Sequence, residues 1–376
     1  MLPHAVSRGA SVALLGSLLL LSGGCGGRRS AVVIAAVGDW TGPDDRALRQ
    51  GIELAAAEVN GAGGVDGRPL EIRFREDRND NAAAAQVARE LVADPAVIAV
   101  IGHTRSDPTL VAVKVYDGKM PVVTARFGSP DLTGLSRWLF QIVPTDSAYS
   151  AAVARFAGER GWKRAAVVFN NSARGRETAE QFQKQFRGEV VSLDPATFPA
   201  PLPGDMKIMV EYHRLVAPDV VFAPVGEPKE YIPEAQRQGL AAPVIGWDVW
   251  SSLTSDPSLP GTFYQVVPFD LGAERAETRH FVDAWRGRNA GAEPTPFAAL
   301  GYDAVRLLSA VAGDAGAGRR QVRDALAALQ PAHPFAGAIG PIAFDPAQGT
   351  VIGPEPTIRR LRQAAPAAND AAGGAR

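Results

Sequence analysis

Two textures alternate along most of this chain, and their alternation limits the fold more than any single motif does. Residues 31–37 form an unbroken apolar run rich in β-branched side chains, the pattern of a strand covered on both faces. Residues 45–60 then place Leu48, Ile52, Ala55, Ala56 and Val59 at the spacing of an amphipathic helix. Strand-like runs at 70–74, 97–101 and 122–124 alternate with helical patterns at 82–92 and 110–116. The rhythm restarts with helices expected at 148–160, 177–186, 207–215 and 231–238, between strands at 165–169, 190–193, 220–223 and 244–246. After an apolar stretch at 265–269, helical patterns at 278–288, 297–311 and 322–329 are expected to return to the first unit. A β-α-β-α succession of this kind predicts parallel sheets with helices on both faces. The expected fold class is therefore α/β, with two doubly wound parallel-sheet lobes.

Composition narrows the functional classes. The chain has 376 residues, 46% of them hydrophobic, enough to bury two cores. Its formal net charge of -1 argues against an electrostatic nucleic-acid binder, which normally shows a basic face. No cysteine follows Cys25, which excludes a disulfide framework and a thiolate metal cluster. His103, His213, His280 and His333 show no HExxH spacing, and no Gly-x-Ser-x-Gly elbow occurs. Asp77, Asp80 and Asn81 lack the glycine and glutamate of a calcium loop and read as a solvated turn. Gly61, Gly63, Gly64 and Gly67 follow a helix and precede a strand, the reverse of a dinucleotide loop, so they read as a helix C-cap and turn. No catalytic constellation, metal site or cofactor is expected.

Cys25 sets the expected address. Arg8 precedes an apolar run at 10–21 that is too short for the ~20 residues of a membrane span and fits a secretory signal. The run ends in Leu21, Ser22, Gly23, Gly24 and Cys25, a placement that resembles the lipobox of bacterial lipoproteins, although Ser22 stands where leucine is usual. The expectation is a signal over 1–25 with acylation at Cys25, a tether over 26–30, and a frayed tail over 363–376.

Candidate binding residues cluster where strands end. The first junction, Ile101-Gly102-His103-Thr104-Arg105-Ser106-Asp107-Pro108, predicts Asp107 as a helix N-cap, with the Ser106 hydroxyl aimed into a cleft. Helix N-termini favour a ligand carboxylate, though a merely capped helix fits the same residues. The second, Thr124-Ala125-Arg126-Phe127-Gly128-Ser129-Pro130, offers donors on Arg126 and Ser129 and close backbone approach at Gly128. The third is Trp247-Asp248-Val249-Trp250, where a carboxylate between indoles suits a ligand ammonium. A loop aspartate beside two core aromatics is the alternative.

Short motifs in this order resemble the periplasmic leucine/isoleucine/valine-binding protein family. They are Gly51-Ile52-Glu53-Leu54-Ala55, Val59-Asn60-Gly61-Ala62-Gly63-Gly64-Val65-Asp66-Gly67, Val100-Ile101-Gly102-His103, Gln238-Gly239-Leu240 and Gly340-Pro341-Ile342-Ala343-Phe344-Asp345. The resemblance implies a type I periplasmic-binding fold whose lobes are joined by three crossing segments, near 143–147, 266–270 and 338–341. Lobe 1 would comprise 31–145 plus 268–338, and lobe 2 would comprise 146–267 plus 339–362. It implies an extracytoplasmic, monomeric solute receptor of an ABC importer, lipid-anchored to a membrane, that closes on an amino acid or related small carboxylate and delivers it to a permease. By the same resemblance Ser106 holds the carboxylate and Asp248 the ammonium. The family's second carboxylate loop falls on Arg126 to Ser129 with Gly128 in place of threonine, so that either Ser129 substitutes for it or the contact is lost. Arg174 stands where an aromatic is common, and Trp40 is the aromatic of a short first loop. Trp40, Phe127, Trp247 or Trp250 would line the pocket. Arg126 and Arg174 on opposing lobes would make it unusually cationic, which admits a deaminated, aromatic or dicarboxylic ligand instead. An envelope α/β enzyme and a signalling receptor are the remaining readings.

Overall fold

The computed structural model describes residues 30–196, 205–225, 231–247, 250 and 263–361. Cys25, Asp248 and the tail beyond 361 lie outside the described residues, as does the side chain of Arg174.

The first lobe opens with β1 (Val32–Gly38), α1 (Pro43–Gly61), β2 (Leu70–Glu76), α2 (Asn81–Ala93), β3 (Val97–Gly102), α3 (Ser106–Tyr116), β4 (Val122–Thr124) and β5 (Leu139–Gln141). These strands form a parallel sheet in the order β2-β1-β3-β4-β5. Every residue of β1 and β3 is buried, as their unbroken apolar runs require, whereas β2 at the edge alternates with charged Glu71, Arg73 and Arg75. The second lobe carries α4 (Asp146–Glu159), β6 (Arg164–Asn170), α5 (Ala173–Gln185), β7 (Glu189–Ala196), α6 (Asp205–Val216), β8 (Val220–Ala223), α7 (Tyr231–Arg237), β9 (Val244–Gly246) and β10 (Phe263–Val267). Its sheet runs β14-β10-β9-β8-β6-β7, with β14 (Thr357–Arg360) antiparallel at the end. Read from β7, the parallel strands repeat the winding of the first lobe.

The chain then returns to the first lobe with α8 (Ala276–Arg288), α9 (Pro296–Ala315) and α10 (Arg319–Ala328). Helix α9 is buried along most of its length and packs on α1 at glycine contacts. A β-carbon at Gly51 would meet the Ala298 carbonyl oxygen at 1.9 Å, and one at Gly301 would meet that of Leu48 at 2.1 Å. A small antiparallel sheet follows, of β11 (Phe335–Gly337), β12 (Gly340–Phe344) and β13 (Val351–Ile352).

That small sheet corrects the expected lobe boundary. The ring of Phe344 packs on Phe140 of β5 with centroids 5.0 Å apart, and the Gln141 N–H donates to the Gly349 carbonyl at 2.8 Å. Residues 340–352 therefore belong to the first lobe, and the third crossing runs through 353–356 rather than 338–341. The other passages lie at 142–145 and 268–269, between the cores of the two lobes.

Local corrections have local causes. Helix α1 begins two residues early because Pro43 supplies a preset first position. Helix α3 begins at Ser106 with Arg105 as its cap, so Asp107 lies in the first turn instead of capping it. Asp80 caps α2 by accepting the Ala83 N–H at 2.7 Å. Asp77 is not in a solvated turn: it is buried and hydrogen-bonded to His103.

Candidate functional site

Loops at the carboxyl ends of β4, β6, β8 and β9 converge on one cleft of ≈ 260 Å³ between the lobes. Open parallel sheets bind ligands at such carboxyl ends, where backbone groups leave the ladder and helices begin. Arg126, Phe127 and Gly128 supply the first-lobe wall, while Val143 and Pro144 of the first crossing form its floor.

Gly128 is required there by space. A β-carbon at this position would come within 2.7 Å of the Pro144 carbonyl oxygen and 3.1 Å of that of Val143. The loop thus lies directly on the crossing segment, leaving no room for the threonine of the family pattern. Ser129 does not replace it: its side chain is buried, its N–H donates to Gln141 Oε1 at 3.0 Å, and it does not line the cleft.

Arg126 is held on three sides. Its Nη2 donates to Asp44 Oδ2 at 2.9 Å and its Nε to Asp45 Oδ1 at 3.2 Å, while the guanidinium carbon stands 3.9 Å over the Phe297 ring. Asp45 is 1% exposed and also accepts two bonds from Arg105, at 3.0 and 2.8 Å, which raise the pKa of that guanidinium. Gly42 makes room, since a β-carbon there would lie 2.9 Å from Asp45 Oδ2. Arg126, one of the two cations expected on opposing lobes, is thus ion-paired with the first turn of α1.

Deeper in the same lobe, His103 Nδ1 lies 2.5 Å from Asp77 Oδ2, and the Tyr116 hydroxyl 3.4 Å from His103 Nε2. Burial pushes the Asp77 carboxyl up, but the His103 hydrogen bond and charge outweigh it and the net shift is downward. This pair anchors the loop leaving β3, whose Thr104 Oγ1 accepts the Asp39 N–H at 3.0 Å.

The second-lobe wall is built from two helix starts and an aromatic pair. Thr145 caps α4 through the Ala148 N–H at 3.3 Å, which sets buried Asp146 and Tyr149 on the cleft side. Ser172 caps α5 through the Gly175 N–H at 3.1 Å, and Gly175 lets the helix approach Asn170, whose carbonyl a β-carbon would meet at 2.0 Å. Trp247, at the end of β9, stacks on Tyr149 with centroids 4.9 Å apart and planes at 27°.

Among the expected site residues, Arg126, Phe127, Gly128 and Trp247 line the cleft together. Ser106 does not line it, because the early start of α3 turns this residue into the helix. Trp40 is also displaced: its indole N–H donates to the Arg75 carbonyl at 3.2 Å and its ring packs edge-on to Phe74. Trp250 is core, with its N–H on the Val225 carbonyl at 2.8 Å and its ring filling the space above Gly246. Asp146, Tyr149, Asn170, Ser172 and Thr178 were not anticipated. The strand-end rule applied to Asn170-Asn171-Ser172 and to the helix start at Thr145 points to most of them.

A family model described as periplasmic binding protein matches residues 31–359. The chain belongs to the periplasmic binding protein family. Its relatives place it with the Leu/Ile/Val-binding type: the Leu/Ile/Val-binding protein homolog 1 of Brucella melitensis is 26% identical, over 85% of this chain and 88% of that protein. An ABC transporter substrate-binding protein from Desulfitobacterium hafniense, solved in complex with Leu, superposes with a TM-score of 0.78 at 23% identity, covering 89% of this chain and 98% of that one. A solute-binding protein of an ABC transporter from R. palustris, solved with benzoate, gives 0.67 at 20% identity, covering 89% and 98%. These two share the fold. Membership makes the chain a solute-binding protein of the ABC-transporter class, and such proteins work outside the cytoplasm.

Proposed function

We propose that this periplasmic binding protein captures a small organic carboxylate with a flat or branched apolar body and hands it to an ABC permease. The observation that carries the reading is the pairing of Arg126 on one wall with the stacked Tyr149 and Trp247 on the other, across a cavity of ≈ 260 Å³. The carboxylate role expected of Ser106 passes to Arg126, supported across the cleft by the N-terminus of α5. The apolar body lies on the Tyr149–Trp247 face. Asp248, next in sequence to Trp247, remains the proposed partner for an α-ammonium. An aromatic acid without an amino group is the second reading, favoured by the flat stacked pair. The leucine and benzoate held by the two relatives of known structure span the same pair of chemistries. Acylation at Cys25 would keep the receptor beside its permease.

Calorimetry with leucine, phenylalanine, benzoate and phenylacetate tests the reading and separates its two forms. At least one should bind, and Trp247→Ala should weaken that ligand at least tenfold while the protein stays folded. A cleft that takes none of them, or that binds equally well without the indole, is not a carboxylate receptor of this design. If leucine binds, Asp248→Ala should abolish it and leave any benzoate binding intact.

A further inference from the structure

The chain enters the first lobe at the edge of the sheet opposite the cleft, an edge that ligand capture does not use. The Ser30 and Ala31 carbonyls accept from the Arg68 guanidinium at 2.8 and 3.3 Å, and the Val32 N–H donates to the Pro69 carbonyl at 2.8 Å, so the entry is fixed to the turn before β2. Because the strands are parallel, the amino ends of β1 and β5 share this edge, three strand intervals or roughly 15 Å apart. The loop leading into β5 presents Leu135, 42% exposed, exposed Arg137 and half-buried Trp138, whose ring lies 5.1 Å from the Arg323 guanidinium carbon. This exposure is not fraying. The Gly134 N–H donates to the Gln348 carbonyl at 3.0 Å, the Trp138 N–H to Ser136 Oγ at 3.0 Å, and the Trp138 carbonyl accepts the Val122 N–H at 2.8 Å. An exposed leucine beside a tryptophan and an arginine is a combination that seats at a lipid headgroup boundary, where one side of the group is apolar and the other wet. Charge along the edge is mixed, with Arg68, Lys119 and Arg320 among the exposed cations and Asp66 and Asp314 among the exposed acids. Apolar contact, rather than attraction to anionic lipid, would therefore seat it.

From this we infer that the amino-end edge of the first lobe is a membrane-docking surface, with Leu135 and Trp138 resting on the lipid headgroups. The inference rests on acylation at Cys25. That residue stands five positions before Ser30, and five extended residues reach at most ~18 Å, so the anchored edge cannot move far from the bilayer. The loop before β5 lies about as far along the edge as the tether is long, so a tilt of the body brings it onto the lipid. The lipid anchor removes most of the cost of association, and one shallow apolar contact is then enough to set orientation. Docked in this way, the receptor turns the carboxyl ends of the same strands, and with them its cleft wall, roughly 20 Å away from the membrane and toward free solute.

The test uses the full chain isolated from cell membranes and placed on phosphatidylcholine vesicles. With Cys25 acylated the chain has no free thiol, so Leu135→Cys takes a single fluorophore. Its emission should fall by about half or more when part of the lipid carries a nitroxide quencher. A fluorophore at Ile208→Cys, exposed on α6 of the second lobe, should be unaffected. Arg137→Cys should repeat the Leu135 result, which keeps the test open if Leu135→Cys fails to fold, and adding Leu135→Asp should remove the quenching. A chain that floats with the vesicles while both loop positions stay unquenched overturns the inference alone. A chain recovered without lipid on Cys25 overturns the anchoring reading and the inference with it. Loop fluorophores shielded from aqueous iodide but not reached by the nitroxide lipid would assign the patch to another protein, which also overturns it.

Discussion

Asp303 shows how one buried group can write itself into the stability of the whole first lobe. It lies on α9, is 1% exposed, and accepts the N–H groups of Ala338 and Ile339 at 2.9 and 2.8 Å. Burial pushes its carboxyl up to about 6, against the counter-pull of those two hydrogen bonds. A raised acid favours the folded state only while it holds its proton. The contribution of Asp303 is therefore fully present below the unfolded value near 3.8 and is lost as pH rises from there through about 6, a change on the order of 3 kcal/mol. Asp77, whose carboxyl is lowered, acts with the opposite sign and loses its contribution in acid. Urea unfolding of wild type and Asp303→Asn from pH 4 to 7 isolates the first effect. The variant should be less stable throughout, and the difference between the two proteins should shrink as pH rises. A constant difference would show that Asp303 titrates normally.

At the scale of elements, the contact between α1 and α9 holds the first lobe together and fixes its cleft wall. Gly51 and Gly301 let the helix backbones touch, and the same helices carry Asp44, Asp45 and Phe297, the three partners of Arg126. Gly51→Ala would place a methyl group where the Ala298 carbonyl stands, so the helices must separate. We expect a loss of about 2 kcal/mol in chemical denaturation, from overpacking. Because the separation also moves Phe297 from Arg126, ligand affinity should fall in the same variant. Unchanged stability would mean that the helices can slide without cost. Arg319 ties α10 to the rest through the carbonyls of Leu91, Val92, Asp94 and Val97, a cap supplied by a distant element.

On the scale of the whole molecule, the described residues join the two lobes through three crossings and set them face to face across one cleft, so ligand can shift the angle between the lobes. Groups that bind from both sides favour whichever lobe angle brings them together. Small-angle scattering should record a smaller radius of gyration with saturating ligand than without. A hundredfold excess over the dissociation constant should also add ~2.7 kcal/mol of stability. Equal radii in the two states would mean a cleft that does not close.

Legibility in the sequence followed the range of the interaction concerned. Apolar runs and helical spacing are local, and they marked β1, β3, β6, β8 and the helices between them without reference to the rest of the chain. The strand-end rule likewise brought Arg126, Phe127, Gly128 and Trp247 into view. Short strands such as β5 and β13 carry too few residues for a period, and they exist because their partners are present. The place of 340–352 in the first lobe was decided by Phe344 on Phe140, a contact invisible along the chain. Tertiary packing alone also decided that Trp40 and Trp250 fill cores while Trp247 meets the cleft, since an indole looks the same in either setting. It also paired Arg126 with acids more than eighty positions away, so that this cation meets the cleft already held by carboxylates. Fold class and the kind of site were written in local pattern; the charge and shape of that site came from residues that only folding brings together.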